Sequence, residues 1–357
     1  MFPRHRDRAR AKIVITSAGN VLRQHLRHRW RRLANAVAQP PLILMYHRIA
    51  RGEIDPWQLC VSPQNFAAQM EVLRQKRRPM RLADLTSELE QGRCPRGAVV
   101  VTFDDGYRDN LLAALPVLEA FDVPATVFCT AGVVGGEQAF WWDQLAGLLL
   151  GPDLLPPALA LDIGGDHKRI TLQAATRYDA ADRAADRRRQ DDDAPASPRL
   201  GFYREIWAWL RPLAEPDRAR ALDQIAQWSS TAGADVPRPL SREQARALAA
   251  SPLIEIGAHS VTHAALSTLT PIAQRAEIMQ SKVQLEALVG RPVVSFAYPF
   301  GDQGVDTAAL VREAGFRSSC TTEASAVRAR TDPFQLPRMA VGDWDADTLA
   351  RTLRGVL

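Results

Sequence analysis

The sequence predicts an α/β fold built on a parallel sheet. Three observations carry this. Leu42–Tyr46 is a continuous apolar run, and Ala98–Phe103 and Ala125–Cys129 are apolar but for one threonine each; at five or six residues all three suit buried strands better than helices. Helical stretches separate them, and strand, helix, strand is the rhythm of a parallel unit. Each of the first two runs also stops abruptly at polar residues, His47 and Asp104-Asp105-Gly106.

The elements follow in order. Pro40-Pro41 opens the first strand. Ser62-Pro63, with Phe66, Met70 and Leu73 behind it, gives an N-cap, a proline at N1 and one apolar helical face. A helix over about 110–120 joins the second strand to the third. From about 135 to 239 the pattern weakens and an insertion is expected. Trp141-Trp142-Asp143 starts an apolar helix through Leu145, Leu148 and Leu149, and Phe202–Trp228 reads as helical. Between them, Asp179–Pro198 is dense in Asp, Arg and Ala and reads as an exposed or disordered loop. Ser241 with Gln244 marks a capping box where the rhythm resumes. Strands are expected at Ile254–Gly257, Val293–Tyr298 and Phe316–Cys320, with helices at Pro271–Leu288 and Thr307–Ala314.

The chain has 357 residues, 46% hydrophobic and 24% charged, enough to bury a sizeable core and too apolar for global disorder. Its net charge of +5 is uneven: residues 1–39 carry +9 and the remainder −4. That arm also repeats Val21, Leu22, Leu26, Trp30, Leu33 and Val37 at roughly helical spacing. It reads either as a helix on an anionic membrane surface or as a solvated leader. No nucleic-acid partner is expected, because nothing beyond charge supports one. The four cysteines form no CxxC pair, which fits a reducing compartment. No signal-peptide core and no window near the ~20 apolar residues of a membrane span are present, so the expected location is cytoplasmic, with the arm a candidate for the inner membrane surface.

Three segments carry chemistry, and each falls at the C-terminal end of an expected strand, where α/β sheets and barrels build their sites. Thr102–Tyr107 holds two adjacent carboxylates, Asp104 and Asp105; one can ligate a metal while its neighbour faces the attacking water, although Asp-Gly alone reads equally as a turn. His259 and His263 stand at i and i+4, a spacing that puts both on one face of a helical turn and lets them share an ion. Phe296–Gly301 is a strand followed by proline and glycine, suited to a rim loop that offers backbone N–H groups.

Together, in this order, the three segments resemble the signature of the polysaccharide deacetylase family, carbohydrate esterases with a NodB-type domain. The resemblance covers about 41–134 and 240–345. It implies a distorted (β/α) barrel at 40–357, with a largely helical insertion at 135–239 and the arm at 1–39 outside it. It further implies one divalent ion, Zn²⁺ with Co²⁺, Ni²⁺ or Mn²⁺ as alternatives, held by Asp105, His259 and His263. Asp104 matches the general base, and the Phe300 N–H the oxyanion donor, with Tyr298 and Pro299 beside it.

The sequence departs from that pattern twice. No histidine follows His263, so the family's C-terminal acid is missing. Met45-Tyr46-His47-Arg48 at the first strand end is similar to the permuted arrangement of the poly-N-acetylglucosamine deacetylase subgroup, which assigns the acid to His47. Ala297 stands where an arginine often precedes the proline, so Arg338 is expected to pair with Asp104 and keep it ionised. Trp344 is a candidate to pack against His47 or the acetyl methyl, and Tyr107, Trp141 and Trp142 are candidates to line the sugar groove, with at most one of the two tryptophans facing it.

The implied activity is removal of N-acetyl groups from amino sugars, in biosynthesis of a surface polysaccharide or glycolipid. A hydrolase of non-sugar amides and a catalytically silent saccharide-binding protein are the alternatives. The first would share the metal site and differ in the groove.

Overall fold

A computed structural model describes residues 39–136, 138–163, 165–189, 195–230, 236–304 and 306–355. The basic arm therefore lies outside the described residues. In chain order the strands are β1 (Leu42–Tyr46), β2 (Arg48–Ile49), β3 (Cys60–Val61), β4 (Arg78–Pro79), β5 (Ala98–Phe103), β6 (Ala125–Cys129), β7 (Ala158–Ile163), β8 (Asp166–Thr171), β9 (Ile254–Ala258), β10 (Ser295–Ala297), β11 (Ser318–Cys320) and β12 (Met339–Ala340).

The main sheet runs β11-β10-β9-β6-β5-β1-β12, with β4 on the early part of β5. Every pairing in it is parallel. The segment before β12 touches β11 through Leu336, and β12 itself pairs with β1 through Met339. The two ends of the sheet are thus joined through one short stretch, and the sheet curls into a distorted (β/α) barrel.

Strand alternation decides what lies inside it. Ile43, Val100, Phe128, Ala297, Cys320 and Leu336 form one cluster, closed below by Leu82, Leu85 and Leu89. The last three come from the helix Leu82–Glu90. A larger cluster holds the opposite faces of the strands against the surrounding helices. Residues that follow the inward positions by two or four, His47 after Ile43 and Asp104 after Val100, inherit the inner face.

Local sequence explains the helix starts. Ser62 caps Pro63–Lys76, with its side chain accepting from the Asn65 N–H. Ser241 and Gln244 form the expected capping box for Arg242–Ala250. The expected helix over 110–120 begins with a wider turn at Asn110–Ala114 before continuing as Leu115–Ala120.

The insertion region has its own core, which includes Trp141, Trp142, Leu159, Leu161, Phe202 and Ile206. It differs from expectation in three ways. It contains an antiparallel hairpin, β7 with β8. Ala180–Arg188 is a helix, capped by Asp179 and Asp182, where an exposed loop was expected. The Phe202–Trp228 stretch is two helices, Pro198–Leu210 and Glu215–Ser229. Among the described residues, no helix is long and apolar enough to cross a membrane.

Candidate functional site

The parallel register places the C-terminal ends of the central strands on one rim. Tyr46 pairs with Phe103, Cys129 with Ala258, and Ala258 with Phe296. Hydrogen bonds continue the ladder one step beyond the strands: Asp104 N–H donates to Tyr46 O, Thr130 N–H to Asp105 O, and His259 N–H to Cys129 O. The backbones of Asp104, Asp105 and His259 are therefore fixed by the sheet itself.

Side chains that should point apart then converge. Asp104 follows the inner face, but its neighbour Asp105 would leave it in a regular strand. Asp105 instead has φ of 73°, and Ser260 and His263 have φ of 59° and 57°. These left-handed turns turn the chain back on itself at the rim, at a cost of order 1–3 kcal/mol each. The histidine pair is thus not on a helical turn as its i, i+4 spacing predicted. Ser260–His263 is an irregular loop, braced by His263 N–H donating to Ser260 Oγ and by the Glu277 carboxylate accepting from the Val261 and Thr262 N–H groups.

The result is a tight cluster. Asp105 Oδ1 lies 3.2 Å from His263 Nε2 and 3.6 Å from His259 Nε2. One donor atom from each residue falls within 4.8 Å of the others. His259 Nδ1 is 2.7 Å from Ala297 O, a contact that requires the proton on Nδ1 and leaves the Nε2 lone pair aimed at the cluster. Burial pushes the His259 imidazole down to about 4, against the pull of the Asp104 carboxylate, so the ring is neutral near pH 7. A carboxylate and two imidazoles with converging lone pairs fit a divalent ion.

Asp104 stands beside this cluster, buried, and is gripped by Arg338 through two hydrogen bonds of 2.6 and 2.8 Å. Arg338 is fully buried, and its remaining donors go to Thr321 O and Thr102 Oγ1. Burial opposes the Asp104 charge, but Arg338, with His259 and His47, overrides it and holds the carboxyl well below its usual range. The same contest at Asp105, with His263 as the chief attraction, also ends in a lowered value. Arg338 lies just ahead of β12 rather than at a strand end, and the short β1–β12 pairing brings it under Asp104.

The other expected site residues divide. His47 is half-buried after β1, and its charge acts on both Asp104 and Asp105. Phe300 has φ of 59°, and its ring packs edge-on against His263 at 4.5 Å. Pro299 is buried. Tyr298 is not a substrate contact: it is fully buried, and its hydroxyl is taken by Ser319 Oγ and Phe334 O. Tyr107 is likewise withdrawn into the core of the insertion, where its hydroxyl donates to Asp143 and accepts from Trp142 Nε1. Trp344 lines a cleft of about 1000 Å³ with Ser62 and Asp343; neither His47 nor the Asp104, Asp105, His259 and His263 group borders it.

Both tryptophans of the pair are more than nine-tenths buried, and the Trp142 ring lies 4.6 Å from the His263 ring. Trp142, expected as a groove residue, instead braces His263. Sequence reasoning missed two participants: Thr102 helps hold Arg338, and Trp207 covers Phe300 at 5.7 Å. Only the inward alternation of β5 could have pointed to Thr102; Trp207 depends on how the insertion folds back.

The chain is similar to known proteins in sequence profile and in fold. The family profile of polysaccharide deacetylase matches residues 91–153 and 223–319, and the unmatched stretch between falls in the insertion. YxkH of Bacillus subtilis (strain 168), provisionally assigned as a polysaccharide deacetylase, is 32% identical over 105 residues. That match spans 29% of this chain and 36% of the relative. Among solved structures, IcaB from Ammonifex degensii superposes with a TM-score of 0.54 at 18% identity, over 88% of this chain and 97% of that one. A polysaccharide deacetylase from Bacillus cereus gives 0.54 at 17% identity, over 88% and 69%. The Streptococcus pyogenes deacetylase PplD, solved with acetate, gives 0.52 at 16%, over 88% and 98%. At these identities the structural likeness speaks for the fold, while the profile match likens two stretches of this chain, 91–153 and 223–319, to the polysaccharide deacetylase family.

Proposed function

We propose that the chain hydrolyses the acetamide of N-acetylated amino sugars, releasing acetate and a free amine, in assembly of a surface polysaccharide or glycolipid. One observation carries the reading: a carboxylate clamped by a buried arginine, Asp104 with Arg338, stands beside three converging metal donors. Asp105, His259 and His263 would hold the ion; a carboxylate with two imidazoles suits Zn²⁺, with Co²⁺, Ni²⁺ or Mn²⁺ as alternatives. When bound, the ion supplies Lewis acidity to the acetyl carbonyl and acidifies water.

The chain's own residues do the rest. Asp104 takes the proton of the attacking water; although Arg338 occupies both its oxygens, a carboxylate has about four lone-pair sites and can accept again. The water oxygen bonds to the carbonyl carbon, the C–N bond breaks, and the departing nitrogen takes a proton from His47. The Phe300 N–H stabilises the oxyanion. The domain is read as 40–357, with 135–239 as its insertion. The arm at 1–39 is read as a contact to anionic lipid at a cytoplasmic surface, on its charge alone; replacing Arg23, Arg27, Arg31 and Arg32 by Glu should then release the protein from anionic vesicles, and unchanged binding would remove that part.

The test is acetate release from N-acetylhexosamine oligomers, nucleotide sugars and polyprenyl-linked sugars, with Zn²⁺ added and after chelation. Release that needs both the ion and Asp104 supports the reading. No release from any of them, by protein shown to hold one ion, would sink it in favour of a non-sugar amide or a silent binding protein.

A further inference from the structure

The helix Pro198–Leu210 and the residue after it place Arg204, Trp207 and Arg211 on one face, at spacings of three and four. This face does not simply bury itself. The Arg204 guanidinium lies over the Trp57 ring at 5.0 Å, and Trp57 packs on Trp207 at 4.7 Å. The Arg211 guanidinium lies over both Trp207, at 5.6 Å, and Phe300, at 4.6 Å. Phe300 in turn touches His263 at 4.5 Å. A row of stacked guanidinium groups and rings therefore runs from this helix to the candidate metal centre.

The donors in this row are unspent. Arg204 Nε and Nη2 and Arg211 Nε are buried without a hydrogen-bond partner, and neither arginine has an ion-pair partner among the described residues. Arg199, on the same helix, shows what a structural arginine does here: its donors go to the carbonyls of Ala175, Leu149, Pro152 and Thr176. Leaving a buried donor unpaired is unfavourable, more so when it is charged. The aromatic faces hold the two guanidinium planes in place, which lowers the entropy lost when an anion binds their forks.

We propose that Arg211, seconded by Arg204, is a phosphate subsite, and that the sugar to be deacetylated carries a phosphate or diphosphate on its anomeric carbon. The proposal rests on the deacetylase reading and names its substrate class. The geometry suits it: in a 2-acetamido sugar 1-phosphate the two groups sit on neighbouring ring carbons, and two ring contacts separate Arg211 from His263. A second arginine two helical turns away gives a diphosphate further charge to meet. Neutral oligomers lack that contact.

The experiment is calorimetric titration of full-length protein with N-acetylglucosamine, its 1-phosphate, its uridine diphosphate ester and a short polyprenyl diphosphate ester. Wild type should bind at least one phosphorylated form at least ~10-fold more tightly than the neutral sugar, and the preference should shrink as ionic strength rises. Arg211→Gln should abolish the preference and Arg211→Lys restore part of it, with unfolding temperatures showing that both fold. Arg204→Gln should weaken the diphosphate esters more than the monophosphate. The two esters show which carrier brings the phosphate. Equal binding of neutral and phosphorylated sugars, or a preference that survives Arg211→Gln, overturns the subsite. Acetate release from neutral oligomers is read separately: phosphate preference without any release would sink the deacetylase reading and leave the subsite standing.

Discussion

Arg338 and Asp104, 234 residues apart, meet inside the barrel through two charge-assisted hydrogen bonds of 2.6 and 2.8 Å. Nothing near either residue in the chain requires this. The β1–β12 pairing brings them together, and both are nearly inaccessible to solvent. The pair sets the state of the carboxylate: Arg338 keeps ionised an acid that burial alone would neutralise.

Arg338→Met should therefore be costly twice. Removing one member of a buried pair typically costs about 3–5 kcal/mol, because the other charge is left unpaired. The folded pKa of Asp104 lies below its unfolded value, so the pair contributes stability above pH ~4 that is lost as pH falls. The gap between wild type and variant should thus be widest near neutral pH and narrow toward acid. Denaturant unfolding across pH measures it, and a constant gap would show that the pair does not act through the Asp104 charge. Acetate release should fall as well, since a protonated Asp104 cannot take the water's proton.

Asp104 and Asp105 should separate chemistry from metal binding. Asp104→Asn keeps the shape and leaves the Asp105, His259 and His263 donors in place. It should retain one ion per chain while acetate release drops by about 10²–10⁴, the usual worth of a general base. Asp105→Asn should lose the ion first. Elemental analysis with a coupled acetate assay distinguishes the two, and equal metal loss in both variants would refute the division of roles.

The sequence made the barrel legible because β1, β5 and β6 are mostly apolar runs, and polar motifs stand at the ends of β5 and β9. Asp104, Asp105, His259 and His263 could be found from short motifs since adjacent strand ends share one rim in a parallel sheet. The Arg338 pairing was legible only by elimination, from Ala297 standing where an arginine was expected. The errors have physical causes. An i, i+4 histidine pair looks helical, but Ser260 and His263 have positive φ and the segment is a loop. Tyr107 and Tyr298 follow site motifs directly, yet their hydroxyls are spent on Asp143 and on Ser319 and Phe334. The β7–β8 hairpin escaped notice because alanines weaken the alternation of β7 and β8 has no buried position.

Gly301 governs the loop that offers the Phe300 N–H. It has φ of 67°, and an added Cβ would overlap the Thr322 side chain, including its hydroxyl. Gly301→Ala should cost about 1–3 kcal/mol from overpacking. It should also lower kcat more than it raises KM, because an oxyanion donor acts mainly in the transition state. Steady-state kinetics with a thermal melt test this. A stability loss with unchanged kcat would mean that the loop has no part in the chemistry.

Asp143 gives the fold a second pH dependence, opposite in sign to that of Asp104. Burial pushes its carboxyl up to about 7, against the pull of the Tyr107 hydroxyl, which donates to it at 2.7 Å, and of Arg48. An unfolded aspartate titrates near ~3.9. Between those values the folded chain holds a proton that the unfolded chain has released, so this group's contribution is full below pH ~4 and is lost as pH rises to about 7. Asp143→Asn cannot ionise and still offers an oxygen to Tyr107. Its unfolding free energy should fall less than that of wild type between pH 4 and pH 7, and above pH ~7 the variant should gain most relative to wild type. Parallel stability curves for the two proteins would show that Asp143 is already ionised at pH 4, solvated by the cleft it shares with Arg48 and Arg51.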